Sequence, residues 1–141
     1  QGTTSMDYNY SIRLPRSIRA ITVLAVASVI LYYSVVTPPG SDTISYGPFG
    51  IFAYSVWLHT MAYAGLAGTI TYTLWGYGRR IEALGGFCGA SGYGIAIEIL
   101  QYPLANRTFA VADIVVNALG GAVAVVGWLV LLRIFKEKAP R

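Results

Sequence analysis

From Thr43 to Gly78 the chain carries no formally charged side chain, and His59, its one histidine, lies inside that run. About 20 apolar residues suffice to cross the hydrocarbon core of a bilayer, so the run holds a complete span with margin. Soluble domains draw roughly 25% of their residues from Asp, Glu, Lys and Arg. Here the share is 11%, with 55% hydrophobic residues and a mean hydropathy of +0.57. So little charge cannot cover a water-exposed surface, and a lipid bilayer is the expected environment.

Three more apolar runs repeat the pattern. The first, Ala20 to Val36, follows Arg13, Arg16 and Arg19, which are spaced like the solvated edge of a short helix. It is long for a signal peptide and reaches Thr37-Pro38-Pro39 without a small-x-small cleavage site, which predicts a retained first span. The proline- and glycine-rich connector TPPGSDTISYGPFG then suits a loop at the membrane surface. The third run is broken only by Glu98 and stops at Pro103; the fourth is broken only by Asp113. The predicted fold class is therefore all-α, a polytopic membrane protein built as a bundle of four transmembrane helices. The spans cover about 20–37, 50–75, 83–104 and 109–132, in a domain over 20–132 flanked by basic segments 1–19 and 133–141.

Topology follows from the basic residues. Arg13, Arg16 and Arg19 precede span one, Arg79 and Arg80 separate spans two and three, and Arg133, Lys136, Lys138 and Arg141 follow span four. By the positive-inside rule these groups and both termini are cytoplasmic, in a multi-pass protein of the cell membrane. The other two connectors, holding Asp42 and Arg107, then face outward. The net charge of +4 does not point to nucleic acid, because the basic residues are dispersed between apolar runs and form no dense patch. Cys88 is the single cysteine, which excludes an intramolecular disulfide and a cysteine-based metal cluster.

Helix rise of about 1.5 Å per residue converts position into depth, placing His59 about 13 Å, Glu98 about 9 Å, Asp113 about 6 Å and Asn117 about 12 Å below the outer rim. His59 and Tyr63 are i,i+4, as are Asp113 and Asn117, and Glu98 and Gln101 are i,i+3, so each pair shares a helix face. Three polar faces at one depth can converge on a pocket open to the outside, with Arg107 folding over it from the connecting loop. A carboxylate at the centre of a membrane helix costs about 2.5–3.5 kcal/mol on insertion scales, and such groups are read as functional by default.

Two carboxylates in one dry layer are candidates for an acid and a base, with His59 as general base or as part of a one-His, two-carboxylate metal site. The candidate catalytic residues are thus His59, Glu98 and Asp113. Tyr63, Gln101, Arg107 and Asn117 are candidates for substrate binding. A plainer reading stands beside this one, in which Glu98 or Asp113 pairs with Arg107 as a clamp and the amides are polar glue between helices. The sequence leaves the identity of any cofactor unknown.

The run HTMAYAGLA, a glycine-rich span ending IEILQ, an arginine, and then DIVVNALG resemble, in that order, the VanZ-like family of small integral membrane proteins. The resemblance covers Trp57 to Gly121 and carries the family's polar set onto His59, Tyr63, Glu98, Gln101, Arg107, Asp113 and Asn117. It implies a cell-envelope protein and a link to glycopeptide (teicoplanin) resistance, with no particular reaction attached. The loop YPLANRTFAV lacks the serine that often precedes the family's aspartate, with Ala110 and Ala112 standing nearby.

The function expected is binding, and in a catalytic version modification, of a lipid-linked or anionic head-group substrate at the outer leaflet. Proton-coupled or small-solute transport and a non-catalytic scaffold are the alternatives. Gly85, Gly86, Gly89, Gly92 and Gly94 offer a small-residue face for packing inside the bundle or for a homo-oligomer. Asn106-Arg107-Thr108 matches the N-glycosylation pattern, and tyrosines near span ends fit an interfacial belt.

Overall fold

A computed structural model describes residues 14–36, 46–103 and 111–137, with helices α1 (Arg16–Val35), α2 (Tyr54–Thr73), α3 (Arg79–Gln101) and α4 (Val111–Glu137). Arg13, Asp42, Asn106, Arg107, Lys138 and Arg141 lie outside the described residues.

Prolines and glycines set the helix ends. Pro15 immediately precedes α1, where a missing N–H is harmless. Gly76 and Gly78 turn the chain between α2 and α3 at φ 105° and 106°, a region that glycine enters without a Cβ penalty. α3 ends just before Pro103, which cannot donate to a further helical turn. Ahead of α2, a tight turn closes through Gly47 N–H to the Phe52 carbonyl at 2.8 Å.

The distribution of polarity is inverted relative to a water-soluble bundle. Leu24 at 67%, Leu84 at 62% and Val123 at 64% exposure face outward, whereas Glu82, Glu98, Gln101 and Asn117 are at most 6% exposed. Apolar side chains out and polar ones in is the arrangement that lipid favours. Among the described residues, three helices are long and apolar enough to cross a membrane: Arg16–Val35, Arg79–Gln101 and Val111–Ile134.

α2 is not among those three, and its position explains why. It packs against α1, α3 and α4, so most of its surface meets protein. The interior is built around it, from Tyr63, Leu66 and Ala67 against Ile30 of α1 and Ala90 and Ile97 of α3. Its polarity is also internally satisfied: the hydroxyls of Thr60, Thr69, Thr71 and Thr73 donate to carbonyls three or four residues earlier, each at 2.8 Å. A threonine bonded this way enters an apolar interior with little desolvation cost.

α3 shows the buried stripe most clearly. Glu82, Gly86, Ala90, Gly94, Glu98 and Gln101 recur at helical spacing and are all buried. A Cβ on Gly86 would run into the Thr71 hydroxyl, and one on Gly89 would come within 3.0 Å of Ile70. Gly85 faces Leu74, and Gly94 faces Asn117 and Tyr63. Packing inside one bundle therefore accounts for Gly85, Gly86 and Gly94, while Gly89 is exposed. Tyr93 and Gln101 tie α3 to α1, donating to the carbonyls of Ala27 at 2.7 Å and Ser34 at 2.6 Å.

One basic residue is not solvated as its spacing suggests. Arg19 is 7% exposed and donates from Nη1 to the carbonyls of Tyr72 and Thr73 at 3.0 and 3.2 Å. It caps the C-terminus of α2, where the last carbonyls lack helical partners and the helix dipole favours a cation. Its guanidinium also lies 5.5 Å from the Tyr72 ring centroid. Arg19→Ala is expected to lower stability by about 1–3 kcal/mol, the range for buried bonds made by a charged donor. Unfolding by SDS in mixed micelles measures it, and an unchanged midpoint would show that these carbonyls need no cap.

Candidate functional site

His59 reaches from α2 toward α4, and its Nδ1 lies 3.0 Å from Asn117 Oδ1. One turn further along α2, the Tyr63 ring stacks on the imidazole at a centroid distance of 6.4 Å and an interplanar angle of 18°. Tyr63 is 2% exposed and lies within electrostatic reach of Glu98 and Asp113. His59, Tyr63, Asn117, Glu98 and Asp113 therefore gather at one end of the bundle, joined through Tyr63 and Asn117.

Two glycines make that convergence sterically possible. A Cβ on Gly94 would stand 3.0 Å from Asn117 Nδ2 and 3.0 Å from Tyr63 Cε1, so α3 presents bare backbone exactly where two of these side chains cross it. Gly120 of α4 lies against the backbone of Thr60, the residue after His59. This contact sets how closely α2 and α4 approach, and so the reach of the His59–Asn117 bond.

The two carboxylates differ in setting. Glu98 is 2% exposed in the middle of the α3 stripe. Asp113 is half-buried in the first turn of α4, where unpaired backbone N–H groups accommodate a negative charge. Gln101 stands apart from the imidazole, since its amide is committed to the Ser34 carbonyl of α1. Arg107, the remaining candidate, is outside the described residues. Among the described residues no three His, Cys, Asp or Glu side chains are grouped to hold a metal ion, so His59, Glu98 and Asp113 do not form the one-His, two-carboxylate cluster.

A second buried polar group lies at the opposite end. Glu82 is 3% exposed; its Oε1 accepts from the Gly76 N–H at 2.9 Å and its Oε2 from Trp128 Nε1 at 3.1 Å. Sequence reasoning started the third span at Ala83 and passed over Glu82. The signal available was its place four residues before Gly86, on the stripe that leads to Glu98.

Long apolar helices turned outward, with histidine, asparagine and carboxylates turned inward, define a membrane protein with an internal polar centre. The chain belongs to the VanZ/LLP1 family, whose model matches residues 2–133 and so includes α1 as well as the stretch from Trp57 to Gly121. No curated protein and no solved structure matches the chain.

Proposed function

We propose that the chain is a four-span, multi-pass protein of the cell membrane whose polar centre is a pocket open to the outer leaflet. There it binds, and in its catalytic form modifies, a lipid-linked or surface substrate. The observation that carries this reading is the part-buried His59–Asn117 pair beside Tyr63, Glu98 and Asp113, inside helices with apolar outer faces. A buried polar group of this kind is expensive in lipid and finds its use in binding or proton transfer.

α2 serves as the fourth span in this reading. Its 20 residues extend about 30 Å, with the His59–Asn117 bond in the second turn and the Arg19 cap at the C-terminus. Arg16, Arg19, Arg79 and Arg80 lie at the end away from His59, which supports cytoplasmic termini. Glu98 and Asp113 share acid and base work, His59 activates a nucleophile, and Arg107 holds an anionic group such as a phosphate. Tyr63 and Asn117 shape the pocket around them.

Transport by a proton relay would need polar groups joining the two ends. The buried side chains between Tyr63 and Thr71 on α2 are Leu66 and Ala67, facing Ala90, which argues for a closed inner side. A scaffold role or a homo-oligomer through the α3 glycines stands beside this reading, since Gly89 and Gly92 are exposed while Gly86 and Gly94 are buried inside the bundle.

The test is the double replacement Glu98→Gln, Asp113→Asn, with teicoplanin tolerance of cells as readout and thermal unfolding of the purified protein as control. Both changes preserve shape, so a folded protein with tolerance reduced to the level of cells lacking the gene is expected. A folded variant with full tolerance would remove the catalytic version.

A further inference from the structure

The atom through which His59 acts is decided by its partner. Asn117 Oδ1 has lone pairs and no proton, so at 3.0 Å from Nδ1 it must accept, and Nδ1 must carry the hydrogen. In a neutral imidazole Nε2 is then the lone-pair nitrogen. Asn117 is held firmly enough to impose this choice: it is 2% exposed and packs against the bare backbone of Gly94. The Tyr63 ring lies nearly parallel to the imidazole, at a centroid distance of 6.4 Å. Nε2 has no hydrogen-bond partner among the described residues.

We propose that Asn117 is a positioning residue that fixes His59 as the Nδ1–H tautomer, making Nε2 the proton acceptor of the centre, so that the group met there is a hydroxyl or an ammonium and not an oxyanion. An oxyanion at Nε2 would face a lone pair, with the carboxylates of Glu98 and Asp113 nearby. A hydroxyl or an ammonium instead donates its hydrogen to the Nε2 lone pair. The tautomer stands on geometry alone; the assignment of the bound group rests on the proposed function and deepens it.

His59 is the only histidine, so full-length protein labelled with 15N-histidine gives one pair of imidazole nitrogen signals. In nanodiscs, at a pH where the ring is neutral, wild type is expected to show a protonated Nδ1 and an unprotonated Nε2. Asn117→Leu keeps the volume and removes the acceptor, and should shift the signals toward the Nε2–H form that neutral histidine favours in water. Asn117→Asp retains an acceptor and should keep the proton on Nδ1, a rescue that a purely packing role would not produce. An unprotonated Nδ1 in wild type would mean the Asn117 amide is turned the other way and would overturn the proposal even if Asn117→Leu fails to fold. So would a leucine variant with the wild-type pattern. Inorganic phosphate in the millimolar range is the probe for the bound group: Nε2 is expected to stay unprotonated, and phosphate-dependent protonation at fixed pH would overturn its assignment as an acceptor for donors. Loss of teicoplanin tolerance is not a readout of any arm, so failure here and failure of the proposed function are separable.

Discussion

Gly120→Ala is expected to destabilise the bundle by about 3 kcal/mol or more, at the upper end of what one added methyl does in a packed interior. The new Cβ would overlap the Thr60 carbonyl oxygen and lie 3.1 Å from both the carbonyl carbon and Cα of Thr60. All three atoms are backbone, so no side-chain rotation relieves the contact and α4 must move off α2. Because Thr60 follows His59, and Asn117 precedes Gly120 by one turn, the same movement opens the 3.0 Å His59–Asn117 bond. The neighbouring glycine gives the control. A Cβ on Gly121 would meet Ala67 and Ala90 at 3.8 Å, ordinary van der Waals distance. Gly121→Ala is expected to be neutral or to gain up to about 1 kcal/mol from helix propensity. Unfolding of both variants by SDS in mixed micelles, with the 15N signals of His59 as local probe, checks the pair. Equal effects would mean that α2 and α4 do not meet at Gly120.

How much of this was legible follows from how each signal arises. The all-helical class is written in long apolar runs, and Pro103 marks a helix end that the structure shares, whereas the turn at Gly76 and Gly78 emerged only from the backbone. His59, Tyr63, Glu98, Asp113 and Asn117 were found from polarity in apolar surroundings combined with helical spacing, and the bundle brings them together because i,i+4 pairs share a face. Gln101 carried the same signal and went elsewhere. Spacing gives the face of one helix, but which neighbour that face meets depends on packing, and the face of Gln101 also borders α1. Arg19 and Glu82 were hidden for the opposite reason. Charged residues at the ends of apolar runs look like ordinary interfacial groups, and only the close approach of α1 to the end of α2, and of α4 to the start of α3, buries them.

Glu82 therefore supplies the second large effect, at the end of the bundle away from His59. Hydrogen bonds between membrane helices average only about 0.6 kcal/mol, because the unfolded state in the bilayer finds other partners. Glu82 differs in that one buried carboxylate satisfies both the Gly76 N–H in the α2–α3 turn and the Trp128 indole on α4. Trp128 in turn packs edge-on against Tyr72 and Trp75, at centroid distances of 6.3 and 5.6 Å. Glu82→Ala orphans two donors at once and opens space beneath this aromatic group, so a loss of about 2–4 kcal/mol is expected. Trp128→Phe keeps most of the ring and the Gly76 bond, and should cost about 1.5–3 kcal/mol, the range for a bond to a charged group. The double variant should cost less than the sum of the two, since each removes the Glu82–Trp128 bond. Strict additivity in SDS unfolding would show that the carboxylate and the indole act independently. A folded Glu82→Ala protein should retain the Nδ1–H signal of His59, because Leu66, Ala67 and Ala90 separate the two polar groups. If that signal were lost, the ends of the bundle would be coupled, and the transport reading would gain the continuity it now lacks.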